Sequence, residues 1–229
     1  MSWVTTFFTS SLGRKLVMAL TGLFLILFLL VHLGGNLQLL RGDGGVAYNH
    51  FSEFMGHNPV IKVIAYGLYF FILLHTVLGI RLWLANRNAK GRKYEVHTTE
   101  NASFASKNMA ILGLLIFAFL LIHMGDFWVK LQFNEGVYDT VRYEGMTHSI
   151  TDLYTGVIAS LKRPAILVIY LLGFLALGFH LWHGFQSAFQ TLGLNHYKYN
   201  GLIRFLGQAY AILVPLGFAL ISIYIILMK

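Results

Sequence analysis

Five apolar runs, each about twenty residues or longer and separated by polar connectors, constrain this chain more than any other feature. They cover about 16–40, 59–84, 107–129, 164–189 and 205–228. A bilayer core about 30 Å thick needs roughly 20 helical residues to cross it. Backbone in hydrocarbon must satisfy its own hydrogen bonds, which favours helices for runs of this length. The expected fold is therefore all-α and membrane-embedded: one membrane domain over residues 1–229 with five spanning helices, four of them forming a bundle. Composition agrees, with 57% hydrophobic and only 11% charged residues, where a soluble domain carries about a quarter charged. Asn58 and Pro59 are suited to open the second helix, Pro164 opens the fourth, and Pro215 predicts a kink in the fifth. Arg14 and Lys15 precede the first run as they would in a secretory signal. That run continues to about Val31, beyond the ~7–15 residues of a signal core, so it reads as a retained helix.

The net charge of +8 is explained by topology rather than by nucleic acid, for which no binding pattern is present. Basic residues gather at Arg14 and Lys15, at Arg87, Lys90, Arg92, Lys93 and Lys107, and at Lys198 and Arg204. Acids gather in the other two connections, at Asp43, Glu53, Glu135, Asp139, Glu144 and Asp152. Lysine and arginine mark the cytoplasmic side, which predicts the N-terminus inside and the C-terminus outside. The stretch 152–162 has apolar residues at helical spacing and predicts a short helix in the interface. The sequence has no cysteine, which rules out disulfides, cysteine-held iron–sulfur clusters and covalent haem attachment within it.

Four of the apolar runs carry histidine at membrane depth: His32, His75, His123, and His180 with His183. Ionisable groups in hydrocarbon are costly and mark functional positions. His32 follows Lys15 by seventeen residues and His123 follows Lys107 by sixteen, so both lie about 25 Å from the inner ends of their helices. His75 precedes Arg81 by six residues, roughly 9 Å from its inner end, and His180 follows the outer residue Arg163 by seventeen. The expectation is one histidine pair per leaflet, each on two parallel helices. Two six-coordinate haem b groups stacked across the membrane fit that arrangement, because neutral imidazoles supply axial ligands. Gly79 and Gly184 stand four residues after His75 and His180, on the same helical face, where a glycine lets a flat macrocycle approach the backbone. Gly35 stands three residues after His32. The third helix has only Gly125, two residues after His123. His183 competes with His180, and the parallel with His75–Gly79 favours His180.

The segments Ser10-Ser-Leu-Gly-Arg-Lys-Leu-Val-Met-Ala-Leu-Thr-Gly22, His32-Leu-Gly-Gly-Asn36, His75-Thr-Val-Leu-Gly-Ile-Arg81 and Gly178-Phe-His-Leu-Trp-His-Gly-Phe-Gln-Ser-Ala-Phe-Gln-Thr-Leu-Gly193 resemble the cytochrome b membrane subunit of succinate dehydrogenase and fumarate reductase, in its single-chain, five-helix, two-haem form. The resemblance implies that His75 and His180 hold a proximal haem near the cytoplasm and that His32 and His123 hold a distal one. It implies a FAD flavoprotein and an iron–sulfur subunit as cytoplasmic partners, and menaquinone or another quinone as substrate. It also implies the cytoplasmic membrane as location and a place in the respiratory chain and tricarboxylic acid cycle. The oligomeric state of such a complex stays open, and this chain alone would carry no catalytic residues for succinate.

Asn36, Gln38, Glu53 and Asp126 are the candidate quinone contacts. Arg14, Lys15 and Arg81 on the inner side, and Lys130 and Arg163 on the outer, are candidate partners for haem propionates. In some fumarate-reducing members a glutamate linked to proton transfer stands two residues before the fourth-helix ligand. Here that residue is Gly178. Two alternatives remain at this stage: the di-haem subunit of a hydrogenase- or formate-dehydrogenase-type complex, and a haem-free transporter using histidines as a proton relay.

Overall fold

The computed structural model describes residues 2–89, 104–133 and 136–228, so Lys90, Arg92, Lys93 and Glu135 lie outside the described residues. A short helix α1 (Trp3–Thr9) leads at Ser10 into α2 (Ser11–Leu37), which ends in a 3-10 turn, Gln38–Leu40. Helices α3 (Val46–His57) and α4 (Pro59–Ala89) follow. Next come α5 (Phe104–Met124), a π-helical turn over Gly125–Val129 and α6 (Lys130–Phe133). A two-stranded antiparallel ribbon, β1 (Thr140–Val141) and β2 (Ile150–Thr151), precedes α7 (Leu153–Leu161), α8 (Pro164–Thr191) and α9 (Tyr197–Met228).

Five of these segments are long and apolar enough to cross a membrane, as the five apolar runs predict. The chain is an all-α, multi-pass membrane protein by that measure. The helix ends differ from expectation for a local reason. The Ser10 hydroxyl accepts the Gly13 N–H at 2.9 Å, so hydrogen bonding starts α2 before the apolar run begins. Likewise α9 starts at Tyr197, because the polar residues Lys198 and Asn200 continue the helix below the apolar stretch. Hydropathy marks where a helix meets hydrocarbon, whereas caps mark where it ends. The interface helix expected at 152–162 is α7, capped by the Asp152 carboxylate on the Thr155 N–H at 3.1 Å.

Helices α2, α4, α5 and α8 form a four-sided bundle. α2 packs on α4 and α8, and α5 packs on the same two, while the diagonal pairs α2/α5 and α4/α8 are not among the extensive contacts. α9 lies outside, against α8 and α2. It continues helically through Pro215, where the expected cause of a kink is the i−4 carbonyl, that of Ala211, losing its donor. Gly178 of α8 sits against that carbonyl, and a Cβ there would lie 3.2 Å from its oxygen. Glycine at that position lets α8 and α9 approach closely, and any side chain there would press on the α9 backbone.

The main apolar core lies between α8, α9 and α7 and includes Leu39, Leu161, Phe174, Phe218, Ile221 and Ile225. In the spanning window of α9, 39% of residues are buried within the chain, against 6% for α4, so α4 is mostly left for lipid or other occupants.

A cap of α3, the ribbon and α7 closes the bundle end at which α2 finishes. The connection after α2 is a loop by sequence, yet it contains the three-turn α3. Its key residue is Asn49, wholly buried. The Asn49 amide donates to the Tyr143 hydroxyl and to the Asp152 carboxylate, each at 2.9 Å, and its oxygen accepts the Tyr154 N–H at 2.9 Å. A buried amide satisfied on three sides ties α3 to residues 94 to 105 positions further along the chain. Gly45 opens α3 at φ +94° with the Tyr154 ring packed on it, a backbone conformation and a closeness that both call for glycine.

Candidate functional site

The bundle brings the membrane histidines together in the pairs that helix depth predicts. The His32 and His123 rings are 5.8 Å apart, centre to centre, with planes at 81°. The His75 and His180 rings are 6.3 Å apart, with planes at 66°. Each pair spans a diagonal of the bundle: α2 to α5, and α4 to α8. It is His180, rather than its neighbour His183, whose ring faces His75.

Two glycines set the vertical arrangement: Gly22, which the sequence reading quotes only as the end of a resemblance segment, and Gly113, which it passed over. A Cβ on Gly22 of α2 would lie 3.2 Å from Cε1 of His75, and one on Gly113 of α5 would lie 3.6 Å from Cε1 of His180. Each glycine makes room for an imidazole of the opposite pair. His32 follows Gly22 by ten residues, and His123 follows Gly113 by the same ten. At 1.5 Å per residue, both spacings separate the layers by about 15 Å. The agreement extends further, since Met18 and Met109 each stand four residues before their glycine. Their methyl groups reach Gly79 and Gly184, 3.3 Å and 4.0 Å from where a Cβ would be. The hairpins α2–α4 and α5–α8 thus repeat one scheme, M-x3-G-x9-H against H-x3-G. That shared spacing was the signal available in the sequence.

The two layers differ in their surroundings. The His32–His123 layer sits among aromatic rings. Phe28 stacks on His32 at 5.2 Å, with Phe218 at 5.5 Å, while His123 has Phe119 at 5.7 Å and Phe127 at 5.4 Å. The Tyr170 hydroxyl lies 3.1 Å from Nδ1 of His123. In the His75–His180 layer, Nδ1 of His75 lies 3.1 Å from the Thr21 hydroxyl. Nδ1 of His180 is buried and has no hydrogen-bond partner among the described residues.

The remaining candidates divide into groups. Asp126, three residues after His123, is buried and lies in the π turn. Its carboxylate accepts from Arg163 at 2.6 and 2.7 Å, from Lys130 at 2.7 Å and from the Ser160 hydroxyl. Lys130 and Arg163 are therefore joined to each other through Asp126. With Tyr138, whose hydroxyl donates to the Asp126 carbonyl at 3.1 Å, they line a cavity of about 360 Å³ that also reaches Asp139 and Asp152. Asn36, Gln38 and Glu53 are not in its lining. Asn36 donates back to the His32 carbonyl at 2.8 Å, Gln38 accepts from Arg41 at 3.4 Å, and Glu53 pairs with the exposed His57 at 3.2 Å. Gly35 is covered by the Phe51 ring of α3. Arg14 donates to the Ser10 carbonyl at 3.3 Å, and Lys15 and Arg81 are exposed.

Outside the spans, burial pushes the Tyr48 hydroxyl up to about 12, against a hydrogen bond to Ser52 that works the other way. For Asp152, burial acts upward, but hydrogen bonds from Asn49 and Thr155 outweigh it and hold the carboxyl below its ordinary value.

No family model matches the chain, and neither a characterised protein nor a solved structure matches it.

Proposed function

We propose that the chain is the di-haem cytochrome b anchor of a succinate:quinone oxidoreductase, carrying electrons between an iron–sulfur subunit and quinone. The observation that supports this most is the pair of imidazole couples, each spanning a diagonal of one helical bundle, at two depths. Two metal–imidazole bonds of about 2.0–2.1 Å each, with roughly 1.1 Å from ring nitrogen to ring centre, would place the centres about 6.2–6.4 Å apart. The 6.3 Å of His75 and His180 suits this, and the 5.8 Å of His32 and His123 requires a small opening. Among the described residues no group of three or more metal-binding side chains occurs. Two nitrogens per layer would suit a metal that arrives already held by its own macrocycle, as haem iron is.

His75 and His180 are assigned to one haem, and His32 and His123 to the other. When bound, haem supplies one-electron transfer, and the ~15 Å layer spacing suits a relay across the membrane. The basic connections favour an orientation with the N-terminus and the His75–His180 layer on the cytoplasmic side, where the FAD and iron–sulfur subunits would dock. The membrane is then the cytoplasmic one. The cavity beside Asp126, a residue three positions after His123 of the other layer, is the favoured place for menaquinone or another quinone, with the Arg163 guanidinium as a donor to a ring carbonyl.

Haem content per purified chain tests the reading, by pyridine haemochrome with oxidised and reduced visible spectra. Two haem b per chain with low-spin, six-coordinate spectra is the expected result. A folded preparation made with ample haem and binding none would overturn it.

A further inference from the structure

The two imidazoles of the His75–His180 layer are held differently, and the difference traces to one pair of equivalent positions. In the repeated scheme, the residue before the glycine is Thr21 in α2 and Leu112 in α5. The Thr21 hydroxyl lies 2.9 Å from the Val17 carbonyl and 3.1 Å from the Met18 carbonyl. Both can only accept, so the single hydroxyl proton is directed to them. Thr21 then meets Nδ1 of His75, at 3.1 Å, as an acceptor. With the hydroxyl proton on a carbonyl, the matching tautomer of His75 carries its proton on Nδ1 and its lone pair on Nε2. Leu112 is buried and apolar, and Nδ1 of His180 has no partner among the described residues.

We propose that Thr21 is a positioning residue that fixes the tautomer and orientation of His75, whereas Leu112 leaves His180 unfixed, so that the two imidazoles are inequivalent donors. The inference rests on the haem assignment above, because its consequence is for axial ligation. An acceptor on Nδ1–H strengthens the basicity of the other ring nitrogen and fixes the ring against rotation. The outer ring nitrogen's partner is commonly worth about 10–100-fold in metal affinity. Binding through His75 should therefore be the stronger and more oxidised-state-favouring half of the pair.

The test compares T21V, T21S and L112T in the full chain, in nanodiscs. Haem affinity and the midpoint potential of the His75–His180 haem are measured by optical titration, and imidazole tautomers by ¹⁵N NMR of histidine-labelled, haem-free protein. T21V should weaken that haem by at least about 10-fold and raise its potential, because the ferric state loses its more basic ligand. T21S should restore both, since it keeps the hydroxyl. L112T should move the potential the other way by giving His180 an acceptor. In the haem-free wild type, His75 should be protonated at Nδ1, with that preference lost in T21V. Unchanged affinity and potential in T21V, or a wild-type His75 protonated at Nε2, would overturn the inference while leaving the haem assignment standing. Absence of haem from wild type would overturn the assignment, and the NMR result would still decide the role of Thr21.

Discussion

The two histidine layers are built from the same scheme but set in different materials. His32 and His123 are surrounded by Phe28, Phe119, Phe127 and Phe218, and through Phe218 and Tyr170 they join the main core. His75 and His180 rest on Gly22 and Gly113, beside one hydroxyl and two flexible methionines. Aromatic packing fixes a ring by filling the space around it, whereas glycines only permit a ring to be there. The first layer is thus part of what holds the protein together, and the second is a place kept free within it.

Histidine replacement is the strongest way to break that comparison. Both His75→Ala and His123→Ala should reduce haem from two per chain to one. Only His123→Ala should also destabilise the haem-free chain, since it empties a cavity in the core and strands the Tyr170 hydroxyl. Haem stoichiometry together with thermal unfolding of the haem-free variants in one detergent reads both effects. Equal melting temperatures would show the layers to be alike.

A smaller effect sharpens the same contrast. Phe218→Ala removes a ring that is 7% exposed and should cost about 3–5 kcal/mol, the usual range for a buried phenylalanine. Met18→Ala, beside His75, should cost clearly less, because a half-buried, unbranched thioether is easily replaced by its neighbours. Denaturant midpoints of the haem-free variants decide between them.

The smallest effect is that of pH on the cap over the His32–His123 end. The folded-state carboxyl of Asp152 lies below its ordinary value of about 3.9, as its hydrogen bonds require. Its contribution is therefore complete above pH ~4 and is lost as pH falls through the depressed folded value. Amide exchange at Tyr154 and along α3 should quicken in that acid range, with no change around Gly22. Asp152→Asn should remove this pH dependence.

Much of this was readable in the sequence where the signal was long or chemically costly. Five apolar runs give five helices, and histidine in hydrocarbon is expensive enough to stand out, so both pairs and their depths followed from counting residues. The reading stopped where the signal was short or shared with ordinary packing. α3 escaped it because Tyr48, Asn49, His50, Ser52 and Glu53 make a polar, interfacial segment with no apolar run to announce it. The roles of Gly22 and Gly113 were lost among 23 glycines, since glycine is common in membrane helices for packing alone. The tie between Asp126 and Arg163 joins residues 37 apart, and no local pattern carries that information.

Asn49 also sets a timetable for biogenesis. Its three partners, Tyr143, Asp152 and Tyr154, lie 94 to 105 residues further along the chain. At about 5–20 residues per second of synthesis, α3 leaves the ribosome roughly 5–20 seconds before the partners of Asn49 exist. During that interval the first hairpin is in the membrane with an open end, and the last part of the cap to be made is the part that closes it.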